Sequence, residues 1–302
     1  MEWPRCNICG SENLKHFHSI TKNSSFEISQ WDQLGEFEKV NLVCCPKCKL
    51  VFTRPRANRD SLISLYTAVY HEQHKETKRL HLFEKRLNCI LSFKKNGKLL
   101  DVGCGYGTFL GIASDFFDVS GVEISSDAVS YVKKQYHFSI YQEDIESSSL
   151  NLDCLDIITL WDVIEHLYDP KMVLNLLHNM LNTNGLLAIS TGEIGSLPSR
   201  LFRKRWAYYH YLDHVYFFSL GSLTKLLQTC HFEILHWYTE NQGFKDILNF
   251  CTTGSKAMIK CLACATNARL HNKKLEARLK KLSQPLAPHF ADLIVVIARK
   301  AK

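Results

Sequence analysis

A glycine-rich turn at positions 101–107 limits what this chain can fold into more than any other feature of its sequence. The turn reads Asp-Val-Gly-Cys-Gly-Tyr-Gly, and it follows an apolar run at 99–102 and precedes a helical pattern at 108–116. A buried strand that passes into a helix in this way is typical of open α/β sheets, which bind ligands at the carboxyl ends of their strands. Because glycine lets the backbone approach a ligand closely, the sequence predicts a ligand site at this turn.

Apolar runs and helical patterns alternate through most of the chain. We expect strands at 99–102, 119–123, 140–142, 157–161, 186–190, 233–238 and 292–298, and helices at 108–116, 126–135 and 170–181. This alternation predicts a parallel sheet with helices on both faces. The last two strands suit an antiparallel pair at one edge. The expected fold class is therefore α/β, with a Rossmann-like, seven-stranded, mostly parallel sheet whose strand count draws in part on the resemblance described below.

Two classes of nucleotide can occupy such a turn, and the residues distinguish between them. A dinucleotide site needs a third glycine to seat the pyrophosphate, but that position falls on Thr108 counting from Gly103, and on Leu110 counting from Gly105. Asp101 also places a carboxylate at the strand end, which repels a pyrophosphate and attracts the ammonium and sulfonium groups of S-adenosylmethionine (SAM). SAM is therefore favoured as the cofactor over a dinucleotide.

Several residues stand where parts of SAM would bind. Glu123 ends the second strand about 20 residues after the turn, where an acid can accept hydrogen bonds from both ribose hydroxyls. Ile124 is expected to pack on the adenine, and Asp144, beside Ile145, to accept from the adenine amino group. The alternative is a tight turn among solvated acids. The other residues assigned to the cofactor are Asp101, Gly103, Cys104, Gly105, Gly107, Trp161, Asp162, Tyr66 and Tyr70.

With these residues the chain resembles class I SAM-dependent methyltransferases, particularly those with an N-terminal zinc ribbon, and it is similar to the methyltransferase 23 type. Positions 161–170 resemble the segment after the fourth strand in ubiquinone-type O-methyltransferases. Positions 50–56, with the tyrosines of the following helix, resemble the junction of ribbon and cap, and 214–219 the segment after the fifth strand. The resemblance implies an enzyme, and it specifies cofactor and scaffold better than acceptor.

Three regions follow from the patterns and the resemblance. Short β-prone runs and two cysteine pairs mark a zinc-ribbon module at 1–55, which ends at a proline. Helical patterns at 56–95 predict a linker that caps the next region. The methyltransferase domain is expected at 96–302, with insertions at about 195–225 and 241–288.

The cysteine pairs of the first region have the spacing of zinc knuckles. Each Cys-x-x-Cys pair can present two thiolates to one tetrahedral zinc ion, and four protein ligands make such a zinc structural. The long loop between the pairs costs little, about 0.6 kcal/mol for each doubling of length. Four buried thiols without a metal are the alternative. Cys44 and a third pair, Cys261 and Cys264, are interpreted as bystanders. The residues assigned to zinc are Cys6, Cys9, Cys45 and Cys48.

A methyltransferase must orient the acceptor and often remove its proton. The stretch 206–214 follows the fifth strand and is dense in aromatic and titratable side chains. Its end resembles the tyrosine-acid-histidine cluster of zinc-ribbon sugar C-methyltransferases, which implies His214 as the base, Tyr211 as its partner and Asp213 as an orienting group. His166, beside Glu165, is the second candidate base. Either histidine can instead be a satisfied core residue.

The sequence constrains the methyl acceptor less than it constrains the fold or the cofactor. A hydroxyl of a small molecule is preferred, on a sugar, glycan or secondary metabolite, and a phosphorylated or lipid-linked sugar would suit the basic run Arg200, Arg203, Lys204 and Arg205. A sugar C-methyltransferase is disfavoured because the chain stops soon after its last predicted strand. An RNA methyltransferase is disfavoured because the ribbon has no aromatic-plus-basic stripe and no Asn-Pro-Pro-aromatic segment follows the fourth strand. A SAM-binding protein without turnover is the remaining alternative.

Charge and hydropathy constrain the partners and the cellular compartment that the sequence predicts. A net charge of +7 from 37 basic and 30 acidic residues favours an anionic partner only slightly and does not indicate nucleic acid. A cytoplasmic protein with reduced thiols is expected, since residues 1–5 lead into the first cysteine pair without the apolar core of a signal peptide, and no run of about 18 apolar residues occurs. A basic amphipathic pattern at 270–282 is interpreted as a helix that caps the sheet rather than one that touches a membrane.

Overall fold

The computed structural model describes residues 2–21, 39–70, 80–147, 150, 152–203, 206, 208–209, 213–241 and 291–301. The strands in these ranges are β1 (Lys15–Thr21), β2 (Lys39–Cys44), β3 (Val51–Thr53), β4 (Lys98–Val102), β5 (Asp118–Val122), β6 (Ser139–Tyr141), β7 (Leu155–Trp161), β8 (Leu181–Gly192), β9 (Tyr216–Phe217), β10 (Phe232–Glu240) and β11 (Leu293–Lys300). The helices are α1 (Arg59–Tyr70), α2 (Leu80–Leu91), α3 (Thr108–Ala113), α4 (Ser126–Tyr136), α5 (Pro170–Met180), α6 (Leu197–Phe202) and α7 (Leu220–Thr229).

Seven strands form the large sheet, in the spatial order β10-β11-β8-β7-β4-β5-β6. The strands from β8 to β6 run parallel to one another, while β11 is antiparallel to both β8 and β10. The predicted α/β class and mostly parallel seven-stranded sheet are therefore confirmed, including the late antiparallel pair at one edge. The parallel strands carry their carboxyl ends to the same edge, which places the glycine turn, Glu123 and the segment after β7 side by side.

Both faces of the large sheet are covered, as expected for apolar strands without alternation. On one face, alternate residues such as Leu100 pack with α5 and α7 and with the first cysteine pair. On the other face, Leu99 and its neighbours pack with α2, α3 and α4. The start of α5 shows how local sequence sets this arrangement, because Asp169 caps the helix by accepting from Met172 N and Pro170 occupies its first turn.

A second sheet has the order β1-β2-β3-β9. Three of its strands come from the cysteine-rich region, but β9 comes from the segment after Asp213, so that Phe52 pairs with Tyr216 and Val51 with Phe217. Thr53 N also donates to Val215 O at 3.0 Å. The small sheet is thus completed by residues adjacent to the predicted catalytic cluster.

Some boundaries differ from the sequence-based expectation. β8 begins at Leu181 rather than 186, because Leu181 pairs with Leu155 before the turn-forming residues that follow it. α3 ends at Ala113 rather than 116, where Phe116 N and Phe117 N both donate to Ala113 O. The helical pattern at 270–282 and the Cys261 pair lie outside the described residues. Across the ranges given above, no helix is both long and apolar enough to cross a membrane.

Candidate active site

The glycine turn joins β4 to α3 with three glycines in the left-handed region. Gly103, Gly105 and Gly107 have φ values of 70°, 53° and 77°, which side chains other than glycine rarely adopt. A Cβ on Gly103 would lie 2.6 Å from Val163 Cγ2, in the segment after β7. The turn therefore packs against that segment. Glycine is required in the turn by the positive φ values, and at Gly103 also because a side chain would collide with Val163.

Glu123 holds the turn from the end of β5. Its side chain is 2% exposed, and Oε2 accepts from Gly105 N at 2.9 Å while Oε1 accepts from Ser125 N at 2.8 Å. Each carboxylate oxygen can accept more than one hydrogen bond. Glu123 can therefore brace the turn and still accept hydrogen bonds from a ligand in front of it.

A cleft opens at this edge of the sheet. Strand ends and α1 enclose it together, and its walls combine apolar side chains with acids and one arginine. Seven residues that the sequence assigns to cofactor binding or catalysis line it: Gly103, Glu123, Ile124, Asp144, Ile145, His166 and Asp213. Residues that the sequence did not single out complete the wall, among them Arg59, Leu62 and Glu146.

Other predicted cofactor residues lie beside the cleft without lining it. Asp101 is 2% exposed and accepts from Thr159 Oγ1 at 2.5 Å. Trp161 packs edge-on against Phe109, with ring centroids 5.2 Å apart. Asp162 Oδ1 accepts from Ser190 Oγ at 3.0 Å. Cys104, Gly105 and Gly107 belong to the turn itself, and Tyr66 and Tyr70 lie in α1 with side chains outside the described part of the chain.

Asp144, the predicted acceptor for the adenine amino group, is engaged by two other groups. Its Oδ2 forms an ion pair with Arg59 Nη2, and its Oδ1 accepts from Glu146 N at 2.9 Å. Arg59 begins α1, so this pair joins the cap to the segment that follows β6. The sequence gives no signal for the pairing, because the two residues are 85 positions apart and share no motif.

Glu146 is a further acid of the cleft wall. Its oxygens accept from Tyr168 N at 2.8 Å and from Asp169 N at 2.6 Å. Burial raises the pKa of its carboxyl group to about 7, since a buried carboxylate loses the solvation of its charge. Glu146 therefore titrates within the working range of most enzymes.

We expect the Glu146→Gln variant to lose part of the pH dependence of stability. The folded protein binds the Glu146 proton up to about pH 7, whereas the unfolded chain releases it near the ordinary value of 4.5. The stability contribution of the parent carboxyl is thus full below pH 4.5 and is lost as the pH rises to about 7, by at most about 3 kcal/mol. Urea unfolding of both proteins from pH 4.5 to 8 measures the difference, and parallel curves would contradict the expectation.

Two histidines meet at the rim of the cleft. His166 follows β7, and its Nδ1 lies 3.1 Å from Asp213 O. His214 is 6% exposed, and its Nδ1 lies 2.9 Å from Tyr208 O. The rings contact edge to face, with centroids 4.5 Å apart. A carbonyl oxygen can only accept, so each neutral ring carries its proton on Nδ1 and its lone pair on Nε2.

The structure brings together three of the four predicted catalytic residues, His166, Asp213 and His214, while Tyr211 lies outside the described residues. It distinguishes the two histidines, because His166 lines the cleft and His214 packs behind it. Arg200 and Arg203 are exposed near the end of α6 and do not line the cleft. Lys204 and Arg205 lie outside the described residues.

The four predicted zinc ligands form one cluster. Their sulfur atoms all lie within 4.8 Å of one another, and Cys9 Sγ is 3.7 Å from Cys45 Sγ. A tetrahedron with Zn–S bonds of about 2.3 Å has sulfur–sulfur edges of about 3.8 Å. Burial raises the pKa of the Cys48 thiol to about 11, and a bound cation would supply the charge that deprotonates it. Cys44 Sγ turns away to Cys45 O at 3.7 Å, so the four residues, without Cys44, fit a structural zinc ion.

Comparison with known proteins agrees with this geometry. Residues 70–237 match the sequence model of a family described as a methyltransferase domain. That match spans more than half of the chain, and the chain therefore belongs to this family of SAM-dependent methyltransferases. The prediction of a class I SAM-dependent methyltransferase domain is confirmed.

Individual relatives are more distant. A ubiquinone biosynthesis O-methyltransferase of Glaesserella parasuis is 31% identical over 129 residues, which cover 38% of this chain and 55% of the relative. The chain thus spans about half the length of the curated relatives it matches. A SAM-dependent methyltransferase of Archaeoglobus fulgidus superposes with a TM-score of 0.51 at 19% identity, covering 75% of this chain and 97% of that one. One from Thermotoga maritima gives 0.51 at 15% identity, covering 79% and 98%. At these identities the structures show the shared fold alone.

Proposed function

We propose that this enzyme transfers the methyl group of SAM to a hydroxyl group of a small molecule, with His166 as the base. The observation that carries the proposal is the position of His166, which lines the cleft beside the predicted cofactor residues and carries its lone pair on Nε2. The likeness to ubiquinone biosynthesis O-methyltransferases supports oxygen as the methylated atom.

The cleft offers groups suited to each part of SAM. Glu123 can accept from the ribose hydroxyls, as an acid at the end of the second strand does in related nucleotide sites. Ile124 and Ile145 supply apolar contact for the adenine ring. Asp144 can accept from the adenine amino group, and its pairing with Arg59 orients the carboxylate. Asp101 would act from beneath the turn by its negative charge.

When bound, SAM supplies a methyl group on a sulfonium sulfur, which leaves as a neutral thioether. His166 takes the acceptor's hydroxyl proton at Nε2 as the oxygen gains the methyl group. The Asp213 carbonyl holds the ring in this tautomer, and the edge of His214 restricts its rotation. A positioned base of this kind contributes about 10²- to 10⁴-fold to a rate.

Replacing His166 by alanine should reduce methyl transfer at least a hundredfold and leave the SAM dissociation constant within threefold, because the base acts on the acceptor. Formation of S-adenosylhomocysteine, with extract of the source cell supplying acceptors, gives the rate, and calorimetry gives the affinity. His178→Ala is the matched control, since His178 is half-buried in α5 and contacts His231 and Phe232. If His166→Ala turned over as fast as His178→Ala, the assignment of the base would be wrong.

The acceptor class is the finer part of the proposal: a hydroxyl on a sugar, glycan or secondary metabolite. Mass spectrometry of the extract after incubation with protein and SAM would reveal which species gain a methyl group, and isotope-labelled SAM would locate it on oxygen or carbon. Methylated RNA as the main product would overturn the small-molecule proposal.

A further inference from the structure

Glu165 is a completely buried acid next to the proposed base, and its sequence context indicates no role for it. It is 0% exposed. Its Oε2 accepts from Thr191 Oγ1 at 2.9 Å, and its Oε1 accepts from the hydroxyl of Tyr208. A carboxylate oxygen of Glu165 and ring nitrogens of His166 and His214 all lie within 4.8 Å of one another. An ionisable group that is costly to bury therefore lies close to both histidines.

The hydroxyl donors around Glu165 favour its charged form. Burial raises the pKa of this carboxyl group, since the charged form loses water. Hydrogen bonds donated to the charged form act in the opposite sense, and each oxygen receives one here. The net direction of the Glu165 pKa is upward, so the charged form depends on positive charge nearby, which a protonated His166 supplies.

Tyr208 packs against Gly192 of β8 and against Trp206. A Cβ on Gly192, the last residue of β8, would lie 2.2 Å from Tyr208 Cδ1, so the ring occupies the space of the missing side chain. Trp206 stacks on the other side with ring centroids 5.4 Å apart. The carbonyl of Tyr208 also accepts from His214 Nδ1. One residue therefore positions both the carboxyl group and the second histidine.

Proton transfer creates a positive charge at this place. When His166 takes a proton from the acceptor, an imidazolium forms within a few ångström of Glu165. A carboxylate at that distance stabilises the cation, and more so in a site with little water. Among the described residues, the ionisable groups near this cluster include Asp213, whose Oδ2 lies 3.8 Å from His166 Nδ1, Tyr208, and Asp162, whose negative charge raises the pKa of Glu165.

We propose that Glu165, held by Tyr208 and Thr191, is a positioning residue that stabilises the protonated form of His166 during methyl transfer. No bond to Glu165 forms or breaks, and the proton stays on His166 until it is released to water. This inference rests on the proposed function, because it assumes that His166 is the base.

The Glu165→Gln variant of the full chain tests the proposal, since glutamine keeps the shape and loses the charge. We expect its maximal rate of S-adenosylhomocysteine formation, with cell extract as the acceptor source, to fall about tenfold or more. The SAM dissociation constant should stay within threefold. In the pH–rate profile, the acid limb, where the rate falls as the pH decreases, should move to lower pH by about one unit. The reason is that a base without its counter-charge holds a proton less strongly. A purely structural role would lower the rate without moving the limb.

Tyr208→Phe is the second variant and should lower the rate severalfold, because it removes one donor from the carboxylate. Tyr209→Phe is the matched control: Tyr209 is equally buried, and its hydroxyl bonds Ser199 rather than Glu165. Parent-like rates and an unmoved acid limb in Glu165→Gln would overturn the proposal, since a Glu165 that is neutral at working pH behaves as glutamine. That outcome would leave the proposed function intact if His166→Ala is inactive. A fully active His166→Ala variant would instead show that His166 is not the base, and would overturn the proposed function as well.

Discussion

Replacing Glu123 by alanine should weaken SAM binding by a factor of about 10² to 10⁴. Each hydrogen bond between a ribose hydroxyl and a buried carboxylate is worth about 1.5–3 kcal/mol, and two such bonds correspond to this range at about 1.4 kcal/mol per tenfold. The variant also leaves Gly105 N and Ser125 N without the acceptors they have in the parent. The loss of affinity therefore combines a missing ligand contact with a loosened turn.

Calorimetric titration with SAM and with S-adenosylhomocysteine measures this loss. Glu123→Gln separates its two parts, because the amide keeps one acceptor for the turn and loses the charge, and we expect an intermediate affinity. Asp127→Asn is the matched control, an exposed acid in the first turn of α4, and it should bind as the parent does. Should Glu123→Ala bind SAM as tightly as Asp127→Asn, the cofactor would have to lie elsewhere.

The parts of this protein that could be predicted from sequence are those in which the signal is local. The glycine turn and Glu123 stand about 20 positions apart and follow two buried strands, so their meeting follows from the topology of a parallel sheet. The two cysteine pairs each carry their own spacing. Even so, β8 is longer than predicted, because pairing between Leu181 and Leu155 is a tertiary contact that no periodicity reveals.

The contacts that refine the site join distant positions and leave no local pattern. Arg59 meets Asp144 only after α1 has folded over the cleft. Tyr208 lies within a stretch that the sequence marks as a candidate, yet its pairing with Glu165 across 43 positions depends on the absence of a side chain at Gly192. The order of the two histidines at the rim, with His166 in front, likewise depends on how the segment after β8 folds back.

The small sheet links the cysteine cluster to the rim of the cleft, where His166 and His214 meet. β3 begins three residues after Cys48, and it pairs with β9, which begins two residues after His214. Arg56 Nη1 extends this link by donating to Tyr216 OH at 2.9 Å and to Tyr168 O at 2.8 Å. Asn7, between the first two cysteines, donates to Asp169 Oδ1 at 2.8 Å. The cluster is thus connected on two sides to the segments that carry the histidines.

We therefore expect the parent protein to bind zinc at the four cysteines, and the Cys45→Ser variant to lose that zinc and nearly all methyl transfer while retaining most of its affinity for SAM. Cys45 is 0% exposed, and the turn it begins is closed by Lys49 N, which donates to Cys45 O at 2.8 Å. A structural zinc site of this kind supplies much of the folding free energy of its module, so the melting temperature should fall by about 10 °C. Without an ordered β3, the strand partner of β9 is lost and the rim moves, whereas Glu123 and the glycine turn rest on β4 and β5.

Metal analysis, thermal unfolding, SAM titration and S-adenosylhomocysteine formation together test this expectation. The expected pattern is no bound zinc, a SAM dissociation constant within about tenfold of the parent, and a rate reduced at least a hundredfold. Cys44→Ser is the matched control, because Cys44 adjoins the cluster and is not one of its four ligands, and it should keep zinc and activity. A zinc-free Cys45→Ser protein that turned over at the parent rate would show that the rim is held by the large sheet alone, and that β9 needs no partner to keep His214 against His166.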